Sequence, residues 1–170
     1  SLQNLQTYMH TRGYFSSNVE CKVDTTRRKR RAELTYILRQ GAPTRIDTLG
    51  YDFRDESLRS IVLADTAATL LHRGDVLDIS RLDAERNRIA ANLNNQGYLD
   101  FTVNNISYSV DTLGHKTSAD VKMIIRPTLV AINERGQQVW EDNAVYRLRN
   151  INVYPTYDPM LRSTRGFKAD

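Results

Sequence analysis

Residues 95–103 read "NQGYLDFTV" and residues 11–19 read "TRGYFSSNV". Both run polar, polar, Gly, Tyr, large apolar, with a valine four residues further on. The glycines are Gly13 and Gly97, and 97 − 13 = 84. The flanks decide whether the match is a repeat. At the same shift Leu5 falls on Ile89, Met9 on Leu93, Tyr14 on Tyr98 and Val19 on Val103. Leu2, Leu5 and Met9 share one face of a helix over 2–12. "SRLDAERNRIAANLNNQG" predicts a second helix from about Ser80 to Gln96, with Leu82, Ile89 and Leu93 on its apolar face. Ser80 followed by Asp83 is a start signal related to the capping box. Each glycine then ends its helix, because a C-terminal cap commonly needs positive φ.

Past each glycine comes a hairpin. In "NVECKVD", Val19, Cys21 and Val23 alternate with polar residues, and in "AELTYILR" Ala32, Leu34, Tyr36 and Leu38 point one way. Cys21 falls on the inward side, which makes it a core residue. In the second copy Leu99, Phe101 and Val103 are odd, whereas Ile106, Tyr108 and Val110 are even. One extra residue near Asn104–Asn105, a β-bulge, accounts for the change of phase. "ADVKMIIR" (119–126) then matches "AELTYILR" (32–39) position by position.

Between the copies, "TRIDTLGYDF" (44–53) reads as a strand kinked near Gly50, and "DESLRSIVLADTAATLL" (55–71) as a helix with Leu58, Ile61 and Val62 on one face. "HRGD" is the turn that follows. The chain therefore divides into 1–42 (helix, strand, strand), 44–127 (strand, helix, helix, strand, strand), an insertion at 128–145 that forms its own hairpin around Arg135-Gly136, and 146–170. In the last part "YRLRNINVYP" resembles "TRIDTLGY" and is read as the first strand of a third unit.

Bulk properties set limits on this reading. The 170 residues are 40% hydrophobic and 26% charged with a net charge of +4, so a folded chain is expected and the charge alone does not imply nucleic acid. No apolar run is long enough for a membrane-spanning helix. "SLQNLQTYMH" lacks the basic start and apolar block of a signal peptide, so the chain is expected to begin inside a longer protein. The single cysteine excludes an intrachain disulfide.

The order β-α-α-β-β in tandem resembles the POTRA (polypeptide-transport-associated) repeat, in particular the periplasmic repeats of the BamA/TamA superfamily of outer-membrane assembly proteins. "LLHRGDVLDISRLDAERNRIAANLNNQGYLDF" (70–101) carries the likeness through Gly74-Asp75, Ile79, Arg88-Ile89 and Gly97-Tyr98-Leu99. The Glu85-Arg86-x-Arg88-Ile89 spelling looks most like TamA-like versions from Bacteroidetes. The insertion departs from the compact pattern. The resemblance implies an α+β fold of tandem repeats, each a three-stranded mixed sheet packed against two helices, in the periplasmic part of an outer-membrane protein whose C-terminal barrel is not in this chain.

Several side chains invite sharper readings. Arg27, Arg28, Lys29, Arg30 and Arg31 form a basic turn; it could hold anionic lipid, lipopolysaccharide or nucleic acid, although a solvated turn is the commoner meaning of such a run. His10, His72 and His115 lie far apart and no Cys/His pair has zinc spacing, so no metal or cofactor is expected. Asp83, Glu85 and Arg86 have the spacing of helix-surface ion pairs rather than of a catalytic cluster. "RGD" at 73–75 reads as a helix–helix turn, and no Gly-rich phosphate loop is present. Trp140 is expected to pin the insertion onto a neighbouring unit.

What remains is the chemistry of strand edges, which offer unpaired N–H and C=O groups to an added strand. In folds of the resembled family the strand after the second helix is an edge. The candidate binding positions are therefore Val19, Glu20, Cys21, Lys22 and Val23 in one unit, and Val103, Asn104, Asn105, Ile106 and Tyr108 in the other. The expected partners are unfolded outer-membrane polypeptides or accessory assembly proteins, with no enzyme activity and no nucleic acid. The rival readings are a basic α/β nucleic-acid module using Arg27–Arg31, and a POTRA unit of two-partner secretion or cell division. Because 1–42 lacks a first strand and first helix, Leu34, Tyr36 and Leu38 are expected to lie uncovered. The candidate covers are a strand around Ile151 and Val153 of a second molecule, in a strand-exchanged homo-oligomer, or, with a monomer in solution, the 128–145 insertion or crystal neighbours.

Overall fold

The computed structural model describes residues 1–26, 31–112 and 117–151, with backbone only at Thr26 and Arg31. Its first element, α1 (Leu2–Thr11), starts where the Ser1 hydroxyl accepts from the Asn4 N–H and buries Met9. Gly13 closes it at φ 85. The N–H of Gly13 donates to His10 O and that of Tyr14 to Met9 O, both at 3.0 Å, which is the Schellman arrangement. Strands β1 (Asn18–Thr26) and β2 (Arg31–Arg39) follow as an antiparallel pair in unbroken register.

The second unit is built around a three-stranded mixed sheet of order β3-β5-β4. β3 (Arg45–Phe53) runs parallel to β5 (Ser118–Ile125), and β4 (Ile106–Asp111) runs antiparallel to it. Central β5 turns Ala119, Val121, Met123 and Ile125 inward, and all four are buried. The long helix α3 (Ile79–Asn95) lies over them. Ile89 and Leu93 share one core cluster with Met123 and Ile125, and Leu82 shares a second with Val121. The expected helix phase is therefore the one observed. Gly97 ends α3 at φ 99, with Gly97 N donating to Asn94 O and Tyr98 N to Leu93 O, so both copies of the glycine make the same cap.

Other expectations are corrected. The helix expected over 55–71 shrinks to α2 (Arg59–Ala64) between 3-10 turns at Glu56–Leu58 and Thr66–Ala68. Asp55 caps the first 3-10 turn through the Ser57 N–H, and the Thr66 hydroxyl bonds back to Leu63 O where α2 stops. α3 is capped by Asp78, whose carboxylate accepts from Ser80 N at 2.8 Å, and not by Ser80. β3 shifts register between Ile46 and Thr48, ahead of Gly50. The bulge expected at Asn104–Asn105 is a 3-10 turn over Val103–Asn105. Thr102 and Asn105 close it as a reciprocal capping box, and this turn supplies the phase change before β4.

The insertion is a hairpin, β6 (Thr128–Ile132) and β7 (Gln138–Glu141), turning through Gly136 at φ 75. Trp140 is 41% exposed, stands across the hairpin from Leu129, and shares a cleft with Arg54, Ile124 and Arg126 of the unit. Asn143 does the anchoring: its N–H and its side-chain amide both donate to buried Asp55, at 2.9 and 2.8 Å. Thr128 Oγ1 bonds Asn143 Oδ1, and the Asn105 amide reaches Pro127 O and Thr128 Oγ1. Residues 146–151 form no strand, because no described strand stands beside them to pair with; Val153 lies outside the described residues.

Candidate protein-binding edges

Among the described residues β4 is bonded to one neighbour, β5. Arg126 N donates to Asn105 O, so the pair 105/126 is hydrogen-bonded and the alternation of an antiparallel ladder fixes the rest. Ser107, Ser109 and Asp111 exchange bonds with β5, while Ile106, Tyr108 and Val110 turn their backbone groups the other way. The Ile106 N–H is satisfied by Val103 O in the 3-10 turn. Tyr108 and Val110 then present N–H and C=O groups outward, and among the described residues no strand pairs with that side.

The edge is held stiffly from behind. The Tyr108 hydroxyl donates to Leu82 O at 3.1 Å, which ties β4 to α3, and burial pushes that hydroxyl's pKa up. Arg86 donates through Nε and Nη2 to Val103 O at 3.2 and 2.7 Å, clamping the turn from which β4 starts.

The same helix carries a charge that sequence spacing misplaces. Asp83 and Arg86 make a surface pair at 3.0 Å, as expected, but Glu85 is fully buried. Its carboxylate accepts from Arg88 Nε and Nη2 (both 2.9 Å), from Leu70 N (2.9 Å) and from Thr69 Oγ1 (2.8 Å). Burial pushes the Glu85 pKa up, and these hydrogen bonds outweigh it and hold the group below its ordinary value. Arg88 also binds Asp65, which joins α2 to α3. Glu85 and Arg88 thus fasten the short helix to the long one.

The other edge of the sheet is partly covered. β3 begins beside the loop after α2, where Ile46 N donates to Asp75 O and Gly74 N to Ile46 O, each within 2.8 Å. Among the described residues the β1–β2 pair has no third strand, which puts Val19, Glu20, Cys21, Lys22 and Val23 on an edge strand. Val19 is buried against α1, but Cys21 is only half-buried and not a core residue. The register places Cys21 opposite Tyr36 and Val23 opposite Leu34 on one face, and beyond the end that α1 covers at Val19 that face is exposed. Val23 is 61% exposed, Leu34 57%, Tyr36 49% and Leu38 45%. The insertion therefore does not cover it.

Of the second set of candidates, Ile106 and Tyr108 are in β4, whereas Val103, Asn104 and Asn105 sit in the 3-10 turn. Their backbone is curled into the capping box and offers no strand edge. Sequence reasoning missed Val110; its signal was the even-numbered phase of Ile106 and Tyr108. The turn itself was written in Thr102-x-x-Asn105. Arg27, Arg28, Lys29 and Arg30 lie outside the described residues, and Arg31 is described as the first backbone position of β2.

The family described as "POTRA: Surface antigen variable number repeat" matches residues 44–128, the span from β3 to the end of β5. No curated protein sequence matches the chain. Among solved structures, the crystal structure of Haemophilus influenzae BamA POTRA3-5 is similar at 15% identity and a TM-score of 0.50, over 85% of this chain and 61% of that one. BamA from Haemophilus ducreyi lacking POTRA domains 1-3 matches at 16% identity over 73% and 21% of the two chains, with a TM-score of 0.43. The N-terminal domain of Omp85 from the thermophilic cyanobacterium Thermosynechococcus elongatus matches at 13% identity over 73% and 49%, with a TM-score of 0.38. The chain spans less than two thirds of each of these structures. At 15% identity the likeness to the first is one of fold: a three-stranded mixed sheet with helices on one face.

Proposed function

Since this chain belongs to the POTRA family, we propose that it is a periplasmic, non-enzymatic module of an outer-membrane protein assembly or translocation factor. It captures extended segments of client polypeptides or accessory proteins by strand addition. The whole protein carries a C-terminal barrel in the outer membrane, and the Glu85-Arg86-x-Arg88-Ile89 spelling favours its TamA-like branch in the forms met in Bacteroidetes.

The observation that carries this reading is the outward backbone of Tyr108 and Val110 on β4. Two successive outward residues supply alternating donors and acceptors, the pattern an antiparallel or parallel guest strand needs. Backbone bonds are indifferent to guest side chains, which suits a factor that handles many sequences. The stiff backing by Leu82, Arg86 and the 3-10 turn keeps the edge in register before a guest arrives, so little ordering entropy is lost on binding.

An NMR titration tests it. The probe is a synthetic ten-residue peptide of alternating apolar and polar residues, patterned after a barrel strand, added to the isotope-labelled chain. The amides of Tyr108 and Val110 should shift and become protected from exchange. If shifts instead cluster on β6–β7 or on the bare face of β1–β2, strand addition at β4 is wrong.

A further inference from the structure

The repeated glycines do more than cap their helices. At the end of α1, Gly13 O accepts from Thr44 N at 2.8 Å, and Thr44 is the residue just before β3, the entry to the next unit. At the end of α3, Gly97 O accepts from Tyr146 N at 2.8 Å. Thr44-Arg45-Ile46 and Tyr146-Arg147-Leu148 are the matched beginnings of successive segments. The spans differ: 44 − 13 = 31, but 146 − 97 = 49, longer by 18 residues. The contact is nevertheless the same, because the extra chain loops out as the β6–β7 hairpin and Asn143 is clamped on Asp55 just before Val145 and Tyr146.

Both glycines also leave room that the next segment fills. A Cβ on Gly13 would lie 2.7 Å from Val76 Cγ1 and 2.7 Å from Leu77 O. One on Gly97 would lie 3.0 Å from Val145 Cγ1 and 2.9 Å from Tyr146 O. In each case a valine methyl and a backbone carbonyl from later in the chain occupy the space: at Gly13 they come from the loop before α3 in the next unit, at Gly97 from the entry segment itself. A helix cap by itself needs only the positive φ; it does not need this vacancy.

We infer that Gly13 and Gly97 are the sockets of a repeated joint, in which the exit of one unit's long helix receives the entry segment of the next and sets the angle between them. The partner of the first socket is the unit 44–127, through Thr44, Val76 and Leu77. The partner of the second is the segment Asn143–Tyr146. At the first joint Arg12 adds an ion pair to Asp78 at 2.8 Å, and Leu77 N donates to Thr44 O at 2.9 Å, so the socket is braced on two sides.

The cap and the socket are separable with asparagine, which tolerates positive φ better than other side chains and so keeps the cap, yet fills the vacancy. In the full chain, with Cys21→Ser, spin labels are placed through Thr35→Cys in β2 and Ser60→Cys in α2, and their separation is measured by pulsed electron resonance. Gly13→Asn should shift the mean distance and broaden its distribution. Gly97→Asn should leave that distance unchanged and remove the exchange protection of the Tyr146 amide. The melting of the unit 44–127 should stay as in the parent for Gly13→Asn. An unchanged distance in Gly13→Asn overturns the joint, as does a retained protection at Tyr146 in Gly97→Asn. Loss of α1 alone, with the distance preserved in the folded fraction, also overturns it, because the glycine would then serve only its own helix.

Discussion

Replacing Glu85 by alanine is expected to cost far more than its place among charged residues on a helix suggests. The carboxylate is fully buried and takes four hydrogen bonds, two from Arg88 and one each from Leu70 N and Thr69. Its removal strands a cation and leaves a backbone N–H without an acceptor. Breaking a buried pair in this way costs about 3–5 kcal/mol. Arg88 keeps Asp65, and its side chain is 22% exposed, so water relieves part of the loss. The lower end, about 3 kcal/mol, is expected on these grounds. Leu70 N and Thr69 Oγ1 donate to different oxygens of Glu85, so Glu85→Gln retains an acceptor for one of them and gives Arg88 no charge; it should fall by about 1.5–3 kcal/mol, the worth of hydrogen bonds to a charged group. Urea denaturation followed by far-UV circular dichroism measures both. A Glu85→Ala chain within about 0.5 kcal/mol of the parent, the range of ordinary surface substitutions, would refute the idea that this pair fastens α2 to α3.

Two further outcomes follow from the same structure. Ile89→Ala, in the core between α3 and β5, should cost about 2–5 kcal/mol, whereas Ile79→Ala, at a position 42% exposed, should cost well under half as much; equal losses would mean the helix phase is misassigned. Asp55 is pushed up by burial but held below its ordinary 3.8 by bonds from Ser57 and Asn143, so its contribution is complete above that value and is lost as pH falls through the lower folded value. Emission from Trp140, the single tryptophan, should report the hairpin loosening in that acid range, and Asp55→Asn should flatten the response; an unaltered acid response in Asp55→Asn would separate the anchor from this carboxylate.

Where structure is local and periodic, the sequence declares it. The two Gly-Tyr signatures mark two Schellman caps, the apolar spacing of Leu82, Ile89 and Leu93 gives the buried face of α3, and the alternation of Ala119, Val121, Met123 and Ile125 gives the inward face of β5. What escapes such reading depends on side chains that meet from far apart. Glu85 looks like a surface residue until α2 is folded over it, and Asp55 meets Asn143 across 88 positions. Cys21 departs from expectation for the opposite reason: alternation tells which face a residue is on but not whether anything covers that face. The turn at Val103–Asn105 is legible in principle, since Thr102 and Asn105 spell a capping pattern, but a strand in progress suggests a bulge instead. The shape of the open edge depends on that turn, which leaves Tyr108 and Val110 as its outward-facing backbone positions.

The most direct test of strand capture at β4 compares two prolines. Proline removes a backbone donor. At Val110 the lost N–H points outward, away from β5, so the β4–β5 ladder should survive; at Ser109 the lost N–H belongs to the ladder, so the unit should be destabilised. Affinity for the alternating barrel-strand peptide is measured by calorimetric titration, alongside thermal melts of each variant. Val110→Pro should melt close to the parent and bind the peptide markedly more weakly, with Ser109→Pro showing the lower melting temperature. Undiminished peptide affinity in a well-folded Val110→Pro chain would contradict strand capture at β4.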